Sequence, residues 1–92
     1  MNFNYMGKLD IYIKSFNKNN WKSFAADCKP SKVRVKGVPQ DIVDAVSRAV
    51  GENNAAEWLR RPVPALDGKS PVEVLNMPNG EKALKALIMR MP

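Results

Sequence analysis

Ala55-Ala56-Glu57-Trp58-Leu59-Arg60-Arg61-Pro62, followed by Leu66-Asp67-Gly68-Lys69-Ser70-Pro71 and then Asn79-Gly80 with Leu84 and Leu87, is the stretch that decides the fold. It holds three short amphipathic segments separated by residues that end one helix and begin the next. Asn54 with Glu57 three residues on predicts a cap with a reach-back partner, and Ala55, Trp58 and Leu59 then share one helical face. Pro62 and Pro64 end that helix, because proline lacks an amide donor and disfavours helical geometry in the residue before it. Ser70-Pro71-Val72-Glu73 starts the next, with Ser70 as cap, Pro71 at the first helical position and Glu73 reaching back. Gly68 suits a turn with positive φ, and Pro71, Val74, Leu75 and Pro78 line one side of about two turns. From Asn79-Gly80-Glu81 a last helix carries Leu84, Leu87, Ile88 and Met91 at i, i+3, i+4 and i+7, with Lys82, Lys85 and Arg90 off that stripe.

Upstream, Ile42, Val43, Val46, Ala49 and Val50 form another helical stripe. Asp41 and Asp44 stand near its N-terminus, where the helix dipole favours negative charge, and Gly51 is placed to close its end. The short link to the next segment predicts neighbouring helices, with Trp58 inserted between them and the last helix. The expected architecture is mainly α, with helices near 40–50, 54–61, 70–77 and 80–91.

The pattern Ala55-x-x-Trp58-Leu59-x-x-Pro62, Leu66-x-Gly68-x-x-Pro71-x-x-Val74-Leu75 and Gly80-x-x-x-Leu84-x-x-Leu87-Ile88-x-Arg90-Met91 resembles the toxin-binding domain of Xre/MbcA/ParS antitoxins. About a dozen positions at fixed spacing, over roughly residues 41–92, carry the likeness. Val63 stands where the family usually has Asn, and nothing in residues 1–40 resembles the helix-turn-helix that many members carry. The resemblance implies an antitoxin of a type II toxin–antitoxin system, whose cognate toxin is typically a RES-domain, NAD-consuming enzyme. It also implies inhibition by covering the toxin's active site with the antitoxin's C-terminal region. On that reading Trp58, Leu59, Pro62, Leu66, Gly68, Pro71, Leu75, Gly80, Leu84 and Leu87 set the fold. Arg60, Arg61, Lys69, Arg90, Met91 and Pro92 are the candidates for partner contact, arginine being frequent in hot spots and methionine adaptable in apolar pockets. Homo-oligomers and operator DNA stand open as further associations.

The 92 residues suffice for one modest core, which buries about 60 to 65% of the unfolded surface. With 45% hydrophobic and 26% charged residues, the composition is that of an ordinary globular domain. No apolar run approaches the roughly 20 residues a membrane span needs. Met1-Asn2-Phe3-Asn4-Tyr5 lacks a charged and an apolar targeting region, so the chain reads as unexported and cytoplasmic. One cysteine, Cys28, allows no internal disulfide, and the lack of histidine removes the common zinc spacings and the Ser-His and Cys-His arrangements. Cys28 reads as a small buried or half-buried thiol rather than a nucleophile. No glycine-rich phosphate cradle is present, and neither an enzymatic activity nor a cofactor is expected.

The charge divides the chain at about Pro39. Residues 1–39 hold eight basic and two acidic side chains and carry the whole net charge of +6, while residues 40–92 balance. The chain thus divides into a basic segment, 1–39, and a helical domain, 40–92. A basic segment of this kind faces either solvent or a nucleic-acid backbone, which makes a small DNA-binding regulator the competing function. Leu9, Ile11 and Ile13 alternate as in a strand, whereas Tyr5, Leu9, Tyr12, Ile13 and Phe16 share a helical face; helix is preferred. Trp21, Phe24, Ala25 and Cys28 give a short helical stripe capped by Asn20, and the two aromatics read as core, with base stacking as their competing role. Lys32 to Lys36 alternates like an exposed strand or extended linker.

Overall fold

The computed structural model describes residues 7–91 and folds them into six α-helices and one 3-10 turn, with no strand among the described residues. The helices are α1 (Lys8–Ser15), α2 (Lys18–Ala26), α3 (Gln40–Val50), α4 (Glu52–Arg60), α5 (Pro71–Leu75) and α6 (Gly80–Arg90), and the 3-10 turn is Pro64–Leu66. The core lies where α3, α4, α5 and α6 meet. Ile42, Val43, Val46, Leu59, Leu66, Val74 and Leu84 are wholly shielded from solvent there, and Ile88 is nearly so. Together they form the apolar cluster that offsets the entropy of ordering so short a chain.

Local sequence explains most of the boundaries. Ser70 caps α5 as expected: its hydroxyl accepts from the Glu73 amide at 3.2 Å while the Glu73 carboxylate accepts from the Ser70 amide at 2.8 Å. Gly51 ends α3 at φ 93° and at once serves as the cap of α4, which no β-carbon-bearing residue could do without strain. The α4 cap is therefore Gly51 and not Asn54; the Asn54 side chain instead donates to the Val50 carbonyl at 2.9 Å. Glu57 makes no reach-back bond and pairs with Arg61 at 2.7 Å. Likewise α2 is capped by Asn17, whose side chain accepts from the Asn20 amide at 2.9 Å, so Asn20 receives the cap rather than supplying it.

Two helices end earlier than expected. α5 stops at Leu75, where Asn76 and Met77 turn the chain, and Pro78 is exposed instead of lining the core. α6 stops at Arg90, so Met91 lies beyond the helix, half-buried, and the buried stripe is Leu84, Leu87 and Ile88. Trp58 is also only half-buried. Ala55 and Leu59, one turn apart, point α4 straight into the core and are fully buried, which rotates Trp58 about 100° to the helix edge.

The buried indole belongs to Trp21 of α2, 4% exposed. Its Nε1 donates to Asp41 Oδ2 at 3.0 Å, its ring stacks on Phe24 at 5.7 Å, and the Lys85 ammonium lies 5.3 Å above it. Lys85, expected to stand off the apolar stripe, thus covers that ring while pairing with Glu81 at 2.6 Å.

α1 is a helix, which settles the ambiguity at residues 8–15. It packs along α6 through Leu9, Tyr12 and Ile13, and the Lys8 ammonium donates to the Pro64 carbonyl at 3.0 Å. Tyr5, the first residue of the expected helical face, lies outside the described residues. Residues 32–36 are extended without pairing as a strand, and Val35 among them is buried.

Candidate functional site

The candidate contact residues fall into two groups. Arg60 and Arg61 end α4, and Pro62 turns the chain away from it. The following loop closes on itself, because the Val63 amide donates to the Lys69 carbonyl and the Gly68 amide to the Val63 carbonyl, both at 3.1 Å. Asp67, at φ 57°, and Gly68, at φ 80°, take the left-handed conformations that tighten the loop. The closure brings Lys69 back toward the end of α4, so three exposed cations share one corner of the domain. Arg61 is held by Glu57, whereas Arg60 and Lys69 have no ion-pair partner among the described residues.

Arg90 and Met91 stand at the far end of α6 from Gly80, separated from it by about 15 Å of helix. Arg90 is exposed, and its guanidinium lies 5.5 Å from the centre of the Tyr12 ring, so α1 supports it. A guanidinium resting on an aromatic face keeps its in-plane donors available for a carboxylate or a phosphate. Pro92 lies outside the described residues. The signature positions occupy varied surroundings: Leu59, Leu66, Pro71, Gly80, Leu84 and Leu87 are buried, Trp58 and Leu75 half-buried, and Pro62 and Gly68 exposed.

Of the surface cavities, two bear on the site. The larger, about 500 Å³, lies between the α2–α3 connection and the α3–α4 corner, and Asp27, Ser31, Asp44, Arg48 and Glu52 help to line it. Several of its polar groups, Ser31, Asp44 and Glu52 foremost, serve the fold. Asp44 accepts from the Ser31 amide at 2.8 Å and from Gln40 at 2.9 Å; Glu52 accepts from the Ser31 hydroxyl at 3.0 Å and the Lys32 amide at 2.9 Å. The Lys32 amide foremost, then the Ser31 hydroxyl, hold the Glu52 carboxyl below its ordinary value, against a small opposing effect of lost hydration. Cys28 is half-buried; its thiol donates to the Phe24 carbonyl, and Arg48 lies 3.9 Å from its sulfur. The second cavity, about 300 Å³, is framed by α1, the loop at Asp67, α5 and the start of α6. Neither was foreseeable from sequence, because each joins residues remote along the chain and matches no spacing motif.

Among the described residues no group of three or more acidic or cysteine side chains is placed to hold a metal ion, and no helix is long and apolar enough to cross a membrane. No curated protein and no solved structure matches the chain. A family model does: that of the antitoxin Xre/MbcA/ParS C-terminal toxin-binding domain matches residues 44–91, which run from the middle of α3 to just past α6 and hold the whole α4–α6 core. More than half of the chain is covered, and the chain belongs to the Xre/MbcA/ParS family of antitoxin toxin-binding domains.

Proposed function

We propose that this chain is the antitoxin of a type II toxin–antitoxin pair and neutralises a RES-type, NAD-consuming toxin by covering its active site. Membership of a toxin-binding family carries the reading. The chemistry belongs to the toxin; this chain supplies a rigid helical wedge with cations at two places. Arg90, supported by Tyr12 and followed by Met91, is the group that enters the toxin's cleft, where a guanidinium meets acidic or phosphate-binding surroundings and bulk keeps the dinucleotide out. Arg60, Arg61 and Lys69 extend the contact on the other corner. The test is growth rescue when the chain is co-expressed with a RES-type, NAD-consuming toxin, taken from the adjacent reading frame if that frame encodes one. Toxicity undiminished by a folded, expressed chain rejects the reading.

A second reading, binding of operator DNA through residues 1–39, draws on one observation. Lys14, Lys18, Lys22, Lys29 and Lys36 are all exposed, and none forms an ion pair among the described residues. Retention on DNA that falls steeply with salt, and weakens when Lys14, Lys18 and Lys22 become glutamine, supports it. Retention that ignores those substitutions removes it.

A further inference from the structure

The second cavity has a chemical character of its own. Its walls are mainly apolar, with Leu9 and Ile13 from α1, Val74 from α5 and Ala83 from α6, and two exposed carboxylates, Asp10 and Asp67, stand among the lining residues. Six of the nine carboxylates of the chain are engaged within the fold: Asp41 by Trp21, Asp44 by Ser31, Glu52 by Ser31 and Lys32, Glu57 by Arg61, Glu73 by Ser70 and Glu81 by Lys85. The three without a hydrogen-bonding or ion-pairing partner among the described residues are Asp10, Asp27 and Asp67. Asp27 lines the larger cavity, which Lys29 and Arg48 also line. Asp10 and Asp67 share a cavity with no cation among its described lining residues, on a chain whose net charge is +6.

An apolar cavity with two exposed carboxylates in its lining complements a side chain with an aliphatic stem and a cationic head. Arginine fits better than lysine, because its planar fork offers five donors that two carboxylates can share. Ile11, adjacent to Asp10 in sequence and 48% exposed, is the large hydrophobic side chain left open to solvent among the described residues, and offers further apolar contact on α1. We propose that this cavity receives an arginine side chain of the partner protein, with its stem against Leu9, Ile13 and Val74 and its guanidinium met by Asp10 and Asp67. The docking surface then spans α1 and the family domain, so the N-terminal helix takes part in recognising the partner. That the partner is the toxin rests on the function proposed above; the acceptance of an arginine side chain does not.

The test separates the two. The full chain, isotopically labelled, is titrated with N-acetyl-arginine amide and, in parallel, with N-acetyl-citrulline amide, which has nearly the same shape and no charge. Saturable millimolar shifts are expected at the amides of Leu9 to Ile13, Asp67, Val74 and Ala83 with the arginine probe, absent with citrulline and lost in Asp10→Asn/Asp67→Asn. Asparagine tolerates the left-handed backbone at 67, so this variant keeps its fold. In binding to the purified toxin the same variant is expected to lose at least about tenfold in affinity, and Asp10→Lys more, since it sets a cation of the chain's own in the cavity lining. Absence of arginine-specific shifts, or a double variant that binds the toxin as tightly as the wild type, overturns the proposal. So do nuclear Overhauser contacts from the Ile13 and Ala83 methyl groups to residues 1–6 or to a second copy of the chain. A wild type that takes the arginine probe and binds no toxin leaves the pocket standing and removes the antitoxin reading instead.

Discussion

Replacing Gly80 by alanine tests the α5–α6 contact most severely. A β-carbon built there would lie 1.6 Å from the Val74 carbonyl oxygen and 2.7 Å from its carbonyl carbon. The obstacle is backbone, so no rotamer change relieves it, and α5 must withdraw by about 2 Å to restore ordinary contact. That helix is only five residues long and is tied at its start by the Ser70–Glu73 box and at its end by the Asn76 and Met77 turn bonds. Overpacking costs about 1 to 3 kcal/mol and a backbone clash belongs at or above the top of that range; alanine's helix propensity returns up to about 1 kcal/mol. A net loss of about 2 to 3 kcal/mol lowers the melting temperature of a domain this size by roughly 10 to 20 °C. Circular-dichroism melts of Gly80→Ala and Gly37→Ala in one buffer make the measurement. Gly37, at φ 80° with no atom within 4 Å of where a β-carbon would stand, reports backbone strain alone, about 1 kcal/mol. A Gly80→Ala melt within about 3 °C of the wild type, or above that of Gly37→Ala, would refute the packing argument.

Trp21→Ala is expected to destabilise by about 3 to 5 kcal/mol and Trp58→Ala by clearly less, because only Trp21 is fully buried and hydrogen-bonded; equal losses by denaturant titration would contradict the assignment. Ser70→Ala removes one half of the capping box and should cost about 1 kcal/mol in the same assay. Glu52 and Glu73 have folded-state pKa values lowered chiefly by the Lys32 and Ser70 amides respectively. Their stabilisation is therefore complete above the ordinary carboxylate range and is lost as pH falls through the lowered values. Melting curves of Glu52→Gln and Glu73→Gln should accordingly converge on the wild type as the solution is acidified, and a gap that persists in strong acid argues against it. Removing residues 90–92 should leave helicity nearly unchanged while weakening growth rescue; full rescue moves inhibition to the corner of Arg60, Arg61 and Lys69.

Where a backbone feature is decided locally, the residues announce it. Ser70-Pro71-x-Glu73, Gly51 and Gly68 each mark a boundary that the chain then uses, because a cap, a stop or a left-handed turn is set by neighbours within one helical turn. Burial is decided elsewhere. Trp58 and Trp21 both lie on apolar faces, and which indole enters the core depends on Ala55 and Leu59 taking the buried face of α4 and on Asp41 and Lys85 meeting the Trp21 ring. The same limit hid the fate of Asn54, since Gly51 serves two helices at once and leaves no gap for a separate cap. Residues 8–15 satisfy strand and helix patterns alike, and packing along α6 selects the helix. Of the candidate contact residues, composition marked the cations, but that loop closure brings Lys69 toward Arg60 and Arg61 while Arg90 stays apart on Tyr12 belongs to tertiary structure.

The most direct test of the antitoxin reading is the rate of NAD consumption by a purified RES-type enzyme, the proposed class of toxin, measured with increasing amounts of this chain. Covering of the active site predicts that activity falls to background near stoichiometric amounts, and that the chain lacking residues 90–92 inhibits less. An enzyme that retains its full rate in a large excess of folded chain would contradict the account.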